Sequence, residues 1–221
     1  MKTSSIPLAI VAGGIIIAGA IYLAAPRGPV ATEDGDPRLV RPVTSADHIL
    51  GNPTAQAFII EYSDIACDFC KDFHTTMRQL MTSESASGKV AWVFRHFPLT
   101  EIHPTALSLA RATECAASVG GNEMFWKFTD ALYAKQPVDP STLGSLASSV
   151  GISGTAFASC YATASSTIEA RIQADRQNAL DIGAQGTPYS LIVVPGKAPV
   201  VVDGAYPYDS LKLLLDNALS N

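Results

Sequence analysis

The chain has 221 residues, 48% of them hydrophobic and 16% charged, with 14 prolines, 4 cysteines and a formal net charge of -5. That much apolar side chain can offset the ordering entropy of one sizeable domain, which excludes an intrinsically disordered chain. The 20 acidic against 15 basic residues exclude the concentrated basic surface that a nucleic-acid backbone requires, and four cysteines suffice for one reactive pair and one structural pair.

Lys2 is the only charged residue before Arg27, and Pro7 to Ala25 is an apolar run of 19 residues. As a helix it would span about 28 Å, close to the hydrocarbon thickness of a bilayer. Residues 1–26 are therefore read as a single transmembrane anchor, with a cleavable signal sequence as the alternative. Retention is favoured because the small-residue site at Ala24 and Ala25 is followed by Pro26. Basic residues flank the run on both sides, Lys2 before it and Arg27, Arg38 and Arg41 after it, so charge does not orient it. Residues 27–46 mix proline, glycine and charge without periodicity and read as a linker. The part after the anchor carries 14 basic and 20 acidic residues, a net charge of -6.

The soluble domain is placed at 47–221. Ala57 to Tyr62 is a short apolar run that predicts a buried strand. Lys71 to Met81 reads as a helix, and Val90 to Phe97 as a second strand stopped by Pro98. A crossover of this kind predicts that the two strands are parallel neighbours. An α-helical stretch follows: His103 to Val119, Glu123 to Lys135, Ser141 to Val150, Gly154 to Ala162 and Ser166 to Ile182, with Gly120 and Gly121 separating the first two. Two strands, Tyr189 to Val194 and Pro199 to Val202, and an amphipathic helix from Tyr208 to Leu219 close the chain. The sum is a β-α-β unit, a helical insertion at about 103–182, and a β-β-α unit.

Cys67-Asp68-Phe69-Cys70 lies between the first strand and the first helix. A Cys-x-x-Cys pair there sets the first sulfur against the unpaired N–H groups of a helix N-terminus, which favours an exposed thiolate, and puts the second sulfur one turn inside. That arrangement suits thiol–disulfide exchange, with Cys67 as nucleophile and Cys70 resolving the mixed disulfide. The competing reading is a metal-binding module in which Cys67, Cys70 and His74 supply three ligands.

The surrounding motifs separate these readings. Glu61-Tyr62-Ser63-Asp64-Ile65-Ala66-Cys67-Asp68-Phe69-Cys70-Lys71, then Phe94-Arg95-His96-Phe97-Pro98-Leu99, then Gly186-Thr187-Pro188-Tyr189, preceded by Asp47-His48-Ile49-Leu50-Gly51-Asn52-Pro53, resemble in order and spacing the DsbA-like disulfide oxidoreductases. The resemblance covers about residues 47 to 219. It implies an α/β thioredoxin-like fold with an inserted helical domain, preceded here by the N-terminal transmembrane helix.

The resemblance also implies roles. Pro188 matches the family's cis-proline facing the cysteine pair, with Thr187 meeting the substrate backbone. Glu61 matches a buried acid beneath the cysteines, whose proton affinity burial would raise. His74 and His96 are read as structural. Cys115 and Cys160, about 45 residues apart in the insertion, would form a structural disulfide, with two buried thiols as the alternative. A disulfide persists outside the reducing cytosol, so the pair points to an extracytoplasmic domain on the cell membrane.

One departure stands out. The family usually has proline after the first cysteine, whereas this chain has Asp68-Phe69, an acid beside the thiolate and a side chain with no proton to donate. The sequence thus predicts a less acidic Cys67 and a less oxidising couple than in strongly oxidising members. The expected activity is disulfide formation in exported proteins with free cysteines, the pair being reoxidised by a membrane redox partner. Reductase or isomerase action by the same fold, and a non-catalytic peptide-binding scaffold, are the alternatives. No cofactor, metal or nucleic-acid partner is expected.

Overall fold

Two seven-residue strands, each opening on an apolar run, form the centre of a five-stranded sheet. The computed structural model describes residues 35–84, 86–163 and 166–220. In chain order it contains β1 (His48–Gly51), β2 (Ala57–Ser63), α1 (Asp68–Glu84), β3 (Val90–His96), α2 (Ala106–Lys135), α3 (Leu143–Ser149), α4 (Gly154–Thr163), α5 (Ser166–Asp181), β4 (Tyr189–Val193), β5 (Val200–Asp203) and α6 (Tyr208–Ser220). The strand order is β1-β3-β2-β4-β5. β2 and β3 run parallel, as the α1 crossover requires, and the other neighbours are antiparallel.

Because successive strand residues face opposite sides, the sheet carries two core layers. Ile59, Trp92, Phe94 and Ile192 pack with Phe73 and Met77 of α1 and with Phe125 and Phe128 of α2. Ile60, Tyr62, Val93 and Leu191 pack on the opposite side with Ala179 of α5 and Ile182 after it. Coverage on both sides explains why every residue of β3 is buried and why Val90 to Phe94 reads as a continuous apolar run rather than an alternating one.

The helical insertion lies between β3 and β4. Its two first predicted helices are one 30-residue element interrupted at Gly121, whose φ of 71° is not helical. A residue without a Cβ adopts that conformation freely, and the helix kinks there.

The start of the domain differs from the sequence reading. His48–Gly51 is an edge strand, antiparallel to β3, although four residues containing a histidine and a glycine carry no alternation that marks a strand. Residues 35–46, read as the second half of a linker, are packed on the domain. The Asn178 side chain donates to the Leu39 carbonyl at 2.8 Å and accepts from the Arg41 N–H at 3.0 Å, and Arg41 pairs with Asp175. Gly35 lies so close to Gly183 that a Cβ would meet its backbone nitrogen at 2.0 Å. Polar partners this distant in sequence leave no local pattern.

Among the described residues no helix is long and apolar enough to cross a membrane. The Pro7–Ala25 run and the start of the expected linker lie outside them.

Candidate active site

β2 ends at Ser63, and the turn after it delivers the first cysteine. Asp64 organises that turn: its carbonyl accepts from the Cys67 N–H at 3.1 Å, and its buried carboxylate accepts from the N–H groups of Ala66 and Leu99 and from His103 at 2.8 to 2.9 Å. The Cys67 carbonyl accepts the first α1 bond, from Lys71, so Cys67 occupies the N-cap. Its sulfur therefore sits over the unpaired N–H groups of the first turn.

Both cysteines of the pair are thiols. The hydrogen bond from the Cys70 thiol, aided by the N–H groups of Cys70 and Phe69 and by Thr187, brings the Cys67 thiol down to about 6 from its ordinary 9.0, against the opposing effect of burial. Burial pushes the Cys70 thiol well up, and the neighbouring Cys67 and Glu61 charges add to the rise. The two thiols are thus far apart in acidity, one a ready thiolate and the other a proton carrier.

Thr187 and Pro188 face this pair. The Thr187–Pro188 peptide bond is cis, and the Cys67 sulfur lies 3.5 Å from the Thr187 carbonyl oxygen. This loop covers Cys67 more than the sequence predicts, leaving it 5% exposed rather than open. Within the motif itself the exposed residues are Asp68 and Phe69, the latter 68% exposed.

Glu61 lies beneath, fully buried, with the Trp92 indole donating to its Oε2 at 2.8 Å. Burial pushes its carboxyl up to about 7, and the hydrogen bond from Trp92 works in the other direction. Its Oε1 has no hydrogen-bond partner. Two residues on from Glu61, on the same face of β2, the Ser63 hydroxyl shares a hydrogen bond of 2.9 Å with the Tyr133 phenol of α2. Gln136, at the end of α2, donates to the Ile65 carbonyl at 3.2 Å and so ties the insertion to the cysteine turn.

His74 does not join the cysteines. Its Nε2 pairs with Asp130 at 2.7 Å, Arg78 pairs with the same carboxylate, and burial pushes the imidazole toward its neutral form. Among the described residues the three-ligand set Cys67, Cys70 and His74 does not converge. The group that does is His48, His96 and Glu114, whose ligand atoms lie within 4.8 Å of one another. Both imidazole Nε2 atoms and Arg171 Nε lie 2.8 to 2.9 Å from a single oxygen, Oε1 of Glu114. Burial would raise the Glu114 carboxyl, but the hydrogen bonds from His48 and His96 hold it well below the usual range. With Arg171 supplying the positive charge, the cluster is an ion network that ties β1, β3, α2 and α5 together.

Cys115 and Cys160 are joined by a disulfide with a Cα separation of 5.7 Å, linking α2 to α4. Sequence reasoning missed Ser63, Trp92 and Tyr133 as neighbours of the Cys70 and Glu61 pair. Ser63 carried a signal, since a position two from a buried strand acid faces the same side. Trp92 and Tyr133, 31 and 70 positions from their partners, carried none.

A thioredoxin family profile matches residues 43–217. Among curated proteins, the Na(+)/H(+) antiporter NhaA 3 of Salinispora tropica is 37% identical over 90 residues, which cover 41% of this chain and 13% of that protein. The chain matches only about an eighth to a quarter of the length of such relatives. Among solved structures, Pseudomonas aeruginosa DsbA2 superposes with a TM-score of 0.66 at 24% identity, covering 81% of this chain and 97% of that one. BdbD from Bacillus subtilis superposes with a TM-score of 0.70 at 21% identity, covering 85% and 98%. At these identities the two structures bear on the fold.

Proposed function

The chain belongs to the thioredoxin family, a thiol–disulfide oxidoreductase by its fold and by the dithiol it carries, and we propose that it forms disulfides in exported proteins on the outer side of a cell membrane. The observation that carries this reading is the Cys67 thiolate, stabilised at the N-terminus of α1 beside the Thr187 carbonyl and the cis Pro188, with protonated Cys70 beneath it.

In the oxidised protein a substrate thiolate attacks Cys67. The Cys67–Cys70 bond breaks, a substrate–Cys67 mixed disulfide forms, and Cys70 leaves as a thiolate that takes up a proton. A second substrate thiolate then attacks the substrate sulfur of the mixed disulfide and releases the Cys67 thiolate. Two electrons have passed from substrate to protein, and a membrane redox partner removes them. A thiol with a pKa of about 6 is a good leaving group, which favours release toward substrate oxidation rather than retention. Thr187 and the cis Pro188, which face Cys67, would seat the substrate backbone.

Two observations support the location. The Cys115–Cys160 bond is stable only in an oxidising compartment. The Pro7–Ala25 run has the length and apolarity of an anchor, and the curated relatives that match part of this chain are named as antiporters.

The test is to mix the oxidised protein with a reduced, unfolded polypeptide containing two cysteines. We expect one disulfide to be transferred per Cys67–Cys70 pair, and the reduced Cys70→Ser variant to trap a mixed disulfide on Cys67 when it is mixed with the disulfide form of the same polypeptide. Transfer that persists in Cys67→Ser would overturn the mechanism. Stoichiometric zinc or copper on unreactive thiols would favour the metal-carrier reading instead.

A further inference from the structure

The turn that carries Cys67 is built on a carboxylate, and a histidine from a different segment holds that carboxylate in place. Asp64 is fully buried. Its carbonyl accepts from the Cys67 N–H at 3.1 Å and its Oδ1 from the Ala66 N–H at 2.8 Å, so both bonds close the turn that leads into α1. Its Oδ2 serves the loop between β3 and α2, accepting from the Leu99 N–H at 2.9 Å and from Nδ1 of His103 at 2.8 Å. With the carboxylate as acceptor, Nδ1 is the donor, and the neutral and the charged ring can both supply that hydrogen.

His103 is fixed by its own backbone. Its N–H donates to the Leu99 carbonyl at 2.8 Å, and its carbonyl accepts from the N–H of Ala106, the first residue of α2, at 3.0 Å. Among the described residues it is the one side chain that donates to Asp64, the other donors being backbone N–H groups. The Cys67 thiolate depends on the same turn, because the N–H groups of Cys70 and Phe69 that stabilise it belong to the first turn of α1. A buried carboxylate that loses a donor moves toward another. The unpaired donors nearest to Asp64 along the chain are those same helix N–H groups, so a released carboxylate would compete with the Cys67 sulfur for them.

We propose that His103 is a positioning residue for thiol exchange: by holding Oδ2 of Asp64 on the β3–α2 loop, it reserves the N–H groups at the start of α1 for the Cys67 sulfur. The inference rests on the exchange chemistry proposed above. His103 neither gains nor loses a proton in that chemistry, and the bonds that form and break stay at Cys67, Cys70 and the substrate sulfurs. The other titratable or charged groups in this region are Cys67 and Cys70 on α1, Glu61 on β2, Tyr133 on α2, which feels the Asp64 charge, and Glu101 on the loop that carries His103. Glu61 is bonded to Trp92, Tyr133 to Ser63, and Glu101 pairs with Arg176 of α5, so none of them takes the place of His103 at Asp64.

The experiment compares the reduced wild-type protein with His103→Ala, His103→Leu and His103→Asn. Two quantities are read: the midpoint of the Cys67 thiolate absorbance, and the rate of the first thionitrobenzoate release after rapid mixing with excess Ellman's reagent, which marks formation of the Cys67 mixed disulfide. Alanine and leucine remove the donor, and leucine keeps much of the volume. We expect both to move the midpoint upward by about half a pH unit, which slows the first release about twofold at pH 6 and leaves it nearly unchanged at pH 8. Asparagine carries an N–H donor where the ring carries Nδ1, so His103→Asn should return the midpoint to that of wild type. Two backbone donors to Asp64 and the Gln136 bond to the Ile65 carbonyl remain in every variant, so the turn is loosened and not lost. Alanine and leucine variants that keep the wild-type midpoint, whatever stability they lose, would overturn the proposal, and so would a His103→Asn midpoint as high as that of His103→Ala. Should His103→Ala not fold, His103→Leu carries the same test. If the wild-type protein shows no thiolate of low midpoint that reacts with the reagent, it is the exchange reading that fails.

Discussion

The Trp92 indole donates to Oε2 of Glu61 at 2.8 Å, and among the described residues the carboxyl's other oxygen, Oε1, has no hydrogen-bond partner. Burial outweighs this donor and lifts the carboxyl to about 7, so the acid is close to half protonated near neutral pH.

Glu61 should make stability fall as pH rises. Its value moves from 4.5 in the unfolded chain to about 7 in the fold, so between these limits the folded protein holds a proton that the unfolded chain has lost. The stabilisation associated with the neutral acid is complete below pH 4.5, declines toward about 7, and is absent above it. The full effect is on the order of 3 kcal/mol. Glu61→Gln should remove this slope, gaining stability relative to wild type at pH 8 and little at pH 4, as read by denaturant unfolding at the two values. Trp92→Phe should raise the Glu61 midpoint further, measurable from the carboxyl carbon by NMR. Parallel wild-type and Glu61→Gln stability profiles would contradict the assignment.

The acidity of Cys67 depends first on Cys70. Titration of thiolate ultraviolet absorbance in the reduced protein should give a midpoint near 6, and Cys70→Ala should shift it upward by removing the thiol donor. Since the folded value lies below the ordinary 9.0, the reduced fold gains stability from this group above the unfolded value and loses it as pH falls through about 6. A Cys70→Ala midpoint at or below that of wild type would show that the N–H groups of the helix dominate instead.

Asp68 should have a small effect. It is exposed at the start of α1, where solvent and salt screen its charge from the neighbouring sulfur. Asp68→Asn should lower the Cys67 midpoint by a few tenths of a unit, about 0.3, and make the couple slightly more oxidising in a glutathione buffer at low ionic strength. The shift should vanish in high salt. A wild-type couple as oxidising as the strongly oxidising DsbA-like proteins would refute the expectation drawn from the Asp68-Phe69 pair.

The Cys115–Cys160 bond should serve stability alone. It closes a loop of 45 residues within the insertion, and its loss in Cys115→Ala/Cys160→Ala should lower unfolding free energy by roughly 3–4 kcal/mol. The Cys67 midpoint and the rate of exchange with Ellman's reagent should stay as in wild type. A changed Cys67 midpoint would show that the insertion is coupled to the cysteine turn.

The parts of the site that read directly from the chain are those set by close spacing. Cys67 and Cys70 stand one helical turn apart at a strand-to-helix junction, Glu61 stands on the strand that leads to them, and Pro188 follows Thr187 at the entry to β4. The paired apolar runs likewise marked β2 and β3, and Gly120 and Gly121 marked the break in α2. What did not read was contributed by contacts between segments far apart in sequence. His48–Gly51 becomes a strand only because β3 offers it an edge, and residues 35–46 are held by Asn178 and Asp175 of α5.

Composition, apolar periodicity and the spacing of four cysteines were enough to establish an α/β domain with a dithiol at a helix N-terminus, since each of these depends on neighbours within a turn or a strand. Which groups govern the proton of that dithiol was decided by the tertiary structure. Burial of Glu61 and Cys70 requires α1 and α2 to cover one face of the sheet together, and the polar atoms that then face them, on Trp92, Ser63 and Tyr133, come from three different elements. Desolvation and hydrogen bonding act through space, so the acidity of this site follows from the packing and has no image in the local sequence.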